Sequence, residues 1–143
     1  MKPTVPHVAG ELARRLRTEI LPELTGFPAN AVGMGAELID MIGQQWDSAA
    51  ANLVAENRAF RELLLRGGVM FGDAALTAAG QGADEDLRIS ALTAGNDRLR
   101  AALILLHATI EDSPGDDARA LEDAIWAALR DSVCARQIAS ANF

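Results

Sequence analysis

A chain of 143 residues with 13 Lys and Arg against 20 Asp and Glu has a formal net charge of −7. Attraction to a phosphate backbone is thereby excluded, and no nucleic-acid partner is expected. The length suits one domain over residues 1–143, and half of the residues are hydrophobic while aromatics make up only 4%.

Ala and Leu therefore fill the core, and both favour helices. The single Cys134 excludes an intrachain disulfide and fits a reducing, cytoplasmic compartment. No segment approaches membrane-spanning length, so no membrane partner is expected either. The mean hydropathy is slightly positive, which points to apolar surface covered by a second copy, a homodimer.

In chain order, Thr4 or His7 opens a first helix whose core face reads Val8, Leu12, Leu16 and Ile20. Arg14, Arg15 and Arg17 form its basic cluster, bracketed by Glu11 and Glu19; Glu11 and Arg15 pair at i, i+4 on a solvated face. Pro22 kinks or ends the helix, and Pro28 suits the first position of the next one. From Pro28 to Arg66 the stripe Val32, Gly35, Ile39, Ile42, Trp46, Ala50, Leu53, Asn57, Phe60 and Leu64 advances by about 3.6 residues per step. Unbroken, this second helix would be roughly 58 Å long. It either breaks at Gly33 to Gly35 or Gly43, or leaves the molecule elongated or bent. A Gly costs only about 1 kcal/mol in a helix interior, too little to force a break.

Arg66 to Asp84 carries Gly67, Gly68, Gly72, Gly80 and Gly82 and predicts a Gly-rich loop between helices two and three. Gly67 would cap helix two, Asp73 to Gly80 would form a short helical turn, and Asp84 would cap the next helix. Val69, Met70 and Phe71 would plug the end of the bundle or lid a pocket. Ile89 to Glu111 is the organising helix. Its row Ile89, Leu92, Asn96, Leu99, Leu103, Leu106 and Ile110 steps by alternating threes and fours, the seam of a helix buried against others. Ser113-Pro114-Gly115 stops it. A last helix from Asp116 to Ser140 turns Leu121, Ile125, Leu129 and Val133 inward. No β pattern appears, and the elements predict an all-α, antiparallel four-helix bundle with one long second helix.

Chemistry is sparse in this pattern. Glu-x-x-His, which di-iron bundles need, is absent, and His107 with Glu111 supplies only two ligands, so no metal and no cofactor are expected. Gly67-Gly68-x-x-x-Gly72 lacks the Lys-Ser/Thr of a phosphate loop. Cys134, beside Val133 with no base nearby, reads as inert packing. No catalytic residue is assigned. The strongest motif is an echo: Leu53-x-x-x-Asn57-x-x-Phe60-Arg61-x-x-Leu64 recurs 39 residues on as Leu92-x-x-x-Asn96-x-x-Leu99-Arg100-x-x-Leu103. Two amides and two guanidiniums from adjacent helices could converge on a carboxylate or acyl carbonyl, with Trp46 lining the pocket. Alternatively, Asn57 and Asn96 bond each other to fix register and both arginines stand in water.

Glu19-Ile20-Leu21-Pro22-Glu23-Leu24-Thr25-Gly26, Asn96-Asp97-Arg98-Leu99 and Ile138-Ala139-Ser140-Ala141-Asn142-Phe143 resemble landmarks of a small bacterial all-helical domain family of unknown function. Its members are typically encoded beside acyl-CoA dehydrogenases and aminoglycoside-phosphotransferase-like kinases. The resemblance implies an accessory role with a partner from acyl-CoA metabolism. Two readings follow: a non-catalytic helical dimer or partner-binding accessory protein, or a small-ligand or acyl-group binder using Asn57, Arg61, Asn96, Arg100 and Trp46.

Overall fold

The computed structural model describes residues 2–138. Its helices are α1 (Val5–Arg15), α2 (Phe27–Phe71), α3 (Ala74–Gly80), α4 (Ile89–Glu111) and α5 (Asp116–Ala135), and no strand occurs among the described residues. The contacts divide the described residues into two compact units, one running to Ala49 and including residues 136–138, the other spanning Ala50–Ala135. No helix among the described residues is long and apolar enough to cross a membrane.

The unit spanning Ala50–Ala135 is built around α4, whose limits are those the seam pattern predicts. Leu92, Asn96, Leu99, Leu103, Leu106 and Ile110 are all buried, while Ile89, in the first turn, is 42% exposed. Phe60, Leu63 and Leu64 of α2, Leu76 of α3, and Leu121 and Ile125 of α5 join Leu99, Leu103, Leu106 and Ile110 in one cluster. Each large side chain so buried contributes about 1.5–3 kcal/mol. Outward from that cluster, α5 loses its inward pattern: Leu129 is half-buried, Val133 is 66% exposed, and the helix ends at Ala135. The expected end at Ser140 lies outside the described residues.

The Gly-rich segment is largely helical. Helix α2 runs unbroken through its interior glycines to Phe71, so Gly67 does not cap it. A Cβ at Gly67 would stand 2.3 Å from Leu106 Cδ1, and one at Gly80 would stand 2.9 Å from the Arg61 carbonyl oxygen. These glycines let α4 and α3 lie close against α2. Gly72, at φ 65°, makes the turn that ends α2. Asp73 then caps α3, its Oδ1 accepting from the amides of Ala75 at 2.8 Å and Leu76 at 3.0 Å. Only residues 81–88 lie outside helices between α3 and α4. The N-cap of α4 is Arg88, with no side-chain cap, so the capping role expected of Asp84 is not taken.

The unit running to Ala49 packs on small residues. Thr4 is the N-cap of α1, as the sequence predicts. Most of the expected core face is turned outward, however: Val8, Leu12 and Ile20 are 46–49% exposed and Leu16 is half-buried, whereas Ala9 and Ala13 are buried. Ala36 and Gly43 are the buried positions of α2 here, and a Cβ at Gly43 would meet the Ala9 Cβ at 3.1 Å. Methyl groups and hydrogens at the seam bring the helix axes together, and bulkier neighbours are displaced to the flanks. Arg17 ties the two segments by pairing with Asp40 and Glu37. After Arg15 the coil widens to a π-helix over Leu16–Ile20, then tightens to a 3-10 turn over Leu21–Glu23. Pro22 lacks an N–H and its ring crowds the preceding turn, which accounts for the irregular ladder there. The basic cluster pairs differently from expectation: Arg14 with Glu11, and Arg15 with Glu19.

Candidate functional site

The echoed motifs meet. Asn57 and Asn96 are 0% and 4% exposed, and the Asn96 amide donates to Asn57 Oδ1 at 2.9 Å. Asn57 in turn donates to Asp84 Oδ1 at 3.1 Å and to the Leu92 carbonyl at 3.3 Å. Asn96 Oδ1 accepts from Arg100 Nε at 2.9 Å. The two amides thus fix α2 against α4 through one direct bond, and each hands its remaining capacity to a charged neighbour.

Both arginines are paired with acids. Arg61 grips Asp84 with two bonds, Nη1 to Oδ2 at 3.1 Å and Nη2 to Oδ1 at 2.6 Å. The two side chains are 15% and 10% exposed. Arg100 Nη2 donates to Glu56 Oε1, a carboxylate almost wholly buried, and its guanidinium lies 5.3 Å from the centre of the Phe60 ring. The Arg61 guanidinium holds the Asp84 carboxyl below its ordinary value; burial opposes this and the Asn57 amide reinforces it. A continuous chain of bonds therefore runs Glu56, Arg100, Asn96, Asn57, Asp84, Arg61.

Four of the five candidate ligand-binding residues are brought together, and neither arginine stands in water as a lone cation. Trp46 belongs to the unit running to Ala49, is 58% exposed, and takes no part in these bonds. Glu56 and Asp84 complete the network. Asp84 offered no such signal, because an acid just ahead of a helix reads as a cap. Glu56 did have one, since an Arg beside a buried amide requires an anion within reach. Val69, Met70 and Phe71 close no pocket: they form the last turn of α2, with Val69 79% exposed and Phe71 packed on the core.

Elsewhere, His107 of α4 lies edge-on to Trp126 of α5, with ring centres 5.6 Å apart. Its Nδ1 is 3.4 Å from Glu111 and its Nε2 is 3.8 Å from Glu122, beyond hydrogen-bond reach. The two carboxylates address opposite ring nitrogens, so the three groups do not converge on one point. Among the described residues no group of three or more His, Cys, Asp or Glu is placed to hold a metal ion. Cys134 is exposed on α5, contrary to the expected packing role. No known protein family matches the chain, and neither a curated protein nor a solved structure does.

Proposed function

We propose that the chain is a non-catalytic helical accessory protein that acts by associating with a second copy of itself. The observation that carries this reading is its apolar surface. Seventeen large hydrophobic side chains among the described residues are at least 40% exposed, from Met70 at 40% to Phe27 at 84%. Single exposed apolar groups are ordinary, but contiguous patches of them mark surfaces that something covers. The polar network supports the same reading from inside. Its acids and guanidiniums neutralise one another, so its bonds hold α2 to α4 rather than activate a substrate. Native mass spectrometry tests this reading: the expected species is twice the 15.1 kDa chain, and a single-chain mass at micromolar concentration refutes it.

A second reading, binding of a small apolar ligand, is favoured by one feature. Between α4 and α5 lies an open groove of about 370 Å³ floored by Leu103, Ile125 and Leu129, with Trp126 at its rim and Arg100 and His107 as its polar groups. A co-purified small molecule retained in the same mass spectrum supports this reading, and bare chains after purification from cell extract count against it.

A further inference from the structure

The exposed apolar surface is unevenly placed, and its largest ordered share belongs to the hairpin of α1 and the first half of α2. Every buried position among the described residues of that unit is Ala or Gly: Ala9, Ala13, Ala36 and Gly43. Burying a methyl group contributes about 0.8 kcal/mol. Three of them fall far short of the roughly 1–2 kcal/mol per residue needed to order a backbone. The unit spanning Ala50–Ala135, by contrast, buries Phe60, Leu64, Leu106, Leu121 and Ile125 almost completely. The hairpin's own large apolar side chains are half-buried, as at Leu16, Val32 and Ile39, or exposed, as at Val8, Leu12, Ile42 and Trp46.

These exposed side chains point to one side. At about 100° per residue, Val5, Val8 and Leu12 lie on one flank of the Ala9–Ala13 line, and Pro6 and Gly10 lie on the other. On α2, Ile39, Ile42 and Trp46 lie on one flank of the Ala36–Gly43 line, and Asp40, Gln44 and Asp47 lie on the other. Pro6, Gly10, Asp40, Gln44 and Asp47 line a common groove, so these flanks of the two helices share one side of the hairpin. The apolar flanks therefore share the opposite side, with the Arg15–Glu19 ion pair at its margin toward the turn end.

We infer that this face, centred on Val8, Leu12, Ile42 and Trp46, is the self-association surface, and that it docks on the same face of a second copy to make a four-helix bundle from two hairpins. The inference rests on the self-association reading above and names its location. Two copies of a chain with net charge −7 repel each other, so they meet most readily where acids are few and paired. The area also fits. Val5, Val8, Leu12, Ile42 and Trp46 are each 42–59% exposed, and a large side chain presents on the order of 100 Å². With Ile20 at the turn end, 46% exposed, the apolar contribution is about 300 Å² per copy. Interfaces are somewhat over half apolar, so the whole contact is roughly 1,100 Å², above the roughly 1,000 Å² that a specific interface needs.

The test is sedimentation equilibrium of the wild-type chain, Ile42→Glu, Leu12→Glu and the control Ile104→Glu. Ile104 is 70% exposed in the other unit. A carboxylate placed in the dry centre of the contact should weaken association by about 100-fold or more, while Ile104→Glu stays dimeric. A wild-type dimer that neither Ile42→Glu nor Leu12→Glu weakens overturns this location and leaves the self-association reading standing. A wild-type monomer overturns both. If the glutamate variants lose helical circular dichroism, cysteine cross-linking decides instead. Val8→Cys, Leu12→Cys and Ile42→Cys, each in a Cys134→Ser background, should include at least one that forms an interchain disulfide on oxidation, whereas Asp47→Cys should not. Absence of cross-links on the apolar flank, or equal cross-linking at Asp47→Cys, refutes the assignment.

Discussion

Replacing Asp84 by Asn removes one charge from the middle of the polar network while nearly preserving its shape. In the wild type, Asp84 accepts two bonds from Arg61 and one from Asn57 at 10% exposure, and Arg61 itself is 15% exposed. Taking one partner from a buried ion pair costs about 3–5 kcal/mol, because the other charge stays behind without compensation. An Asn can still accept one bond from Arg61, so the lower end applies: Asp84→Asn should lose about 3 kcal/mol at pH 7. The loss has a pH signature. The folded carboxyl is held below its ordinary value, chiefly by the Arg61 bonds. Its contribution is therefore complete above the unfolded carboxylate pKa of about 3.9 and disappears as pH falls through the lower folded value.

The Asn variant has no such titration. Urea unfolding of both proteins between pH 7 and pH 2.5 should show a constant gap down to about pH 4 that narrows below it. A gap under about 0.5 kcal/mol at pH 7 would mean that the pair is screened like a surface ion pair. A gap that persists unchanged to the lowest pH would show that the loss comes from shape rather than charge. Either result refutes the description of Asp84 as the network's anionic centre.

Asn57→Leu and Asn96→Leu, combined in a double-mutant cycle by urea unfolding, should couple by about 1–3 kcal/mol, because each single change strands the other's amide in a buried site. Additivity within about 0.5 kcal/mol would show that the 2.9 Å bond between them carries no weight. Gly67→Ala should destabilise by about 1–3 kcal/mol through overpacking, since its Cβ would sit 2.3 Å from Leu106 Cδ1; adding Leu106→Ala should recover less than the cavity costs. A Gly67→Ala chain as stable as wild type would return that glycine to the role of a loop residue.

The sequence made α4 legible because its whole inward row is large and its one exception, Asn96, repeats in register as Asn57. The bond between those amides is one of the two outcomes the echo left open, whereas the acid partners of the two arginines were in neither. The hairpin was misread by about one helical position for a related reason. Hydrophobic size is the strongest inward signal, and in α1 the large residues Val8 and Leu12 face out while Ala9 and Ala13 face in. That inversion becomes intelligible if the outward side is itself an interior once two copies meet. Glycine was ambiguous in the segment from Arg66 to Asp84. A missing side chain serves a turn at Gly72 and a close helix contact at Gly67 equally well, and only the partner Leu106 distinguishes them. Asp84 was hidden because the carboxylate that would cap α4 is the same group that, across the core, neutralises Arg61.

If the hairpin has no adequate core until a second copy covers it, folding of that unit and association are one event. The direct measurement is thermal unfolding followed by circular dichroism at chain concentrations from about 1 to 100 μM. Each tenfold increase should add about 1.4 kcal/mol to apparent stability, and the midpoint should rise accordingly. A midpoint that stays fixed across the hundredfold range would contradict the account.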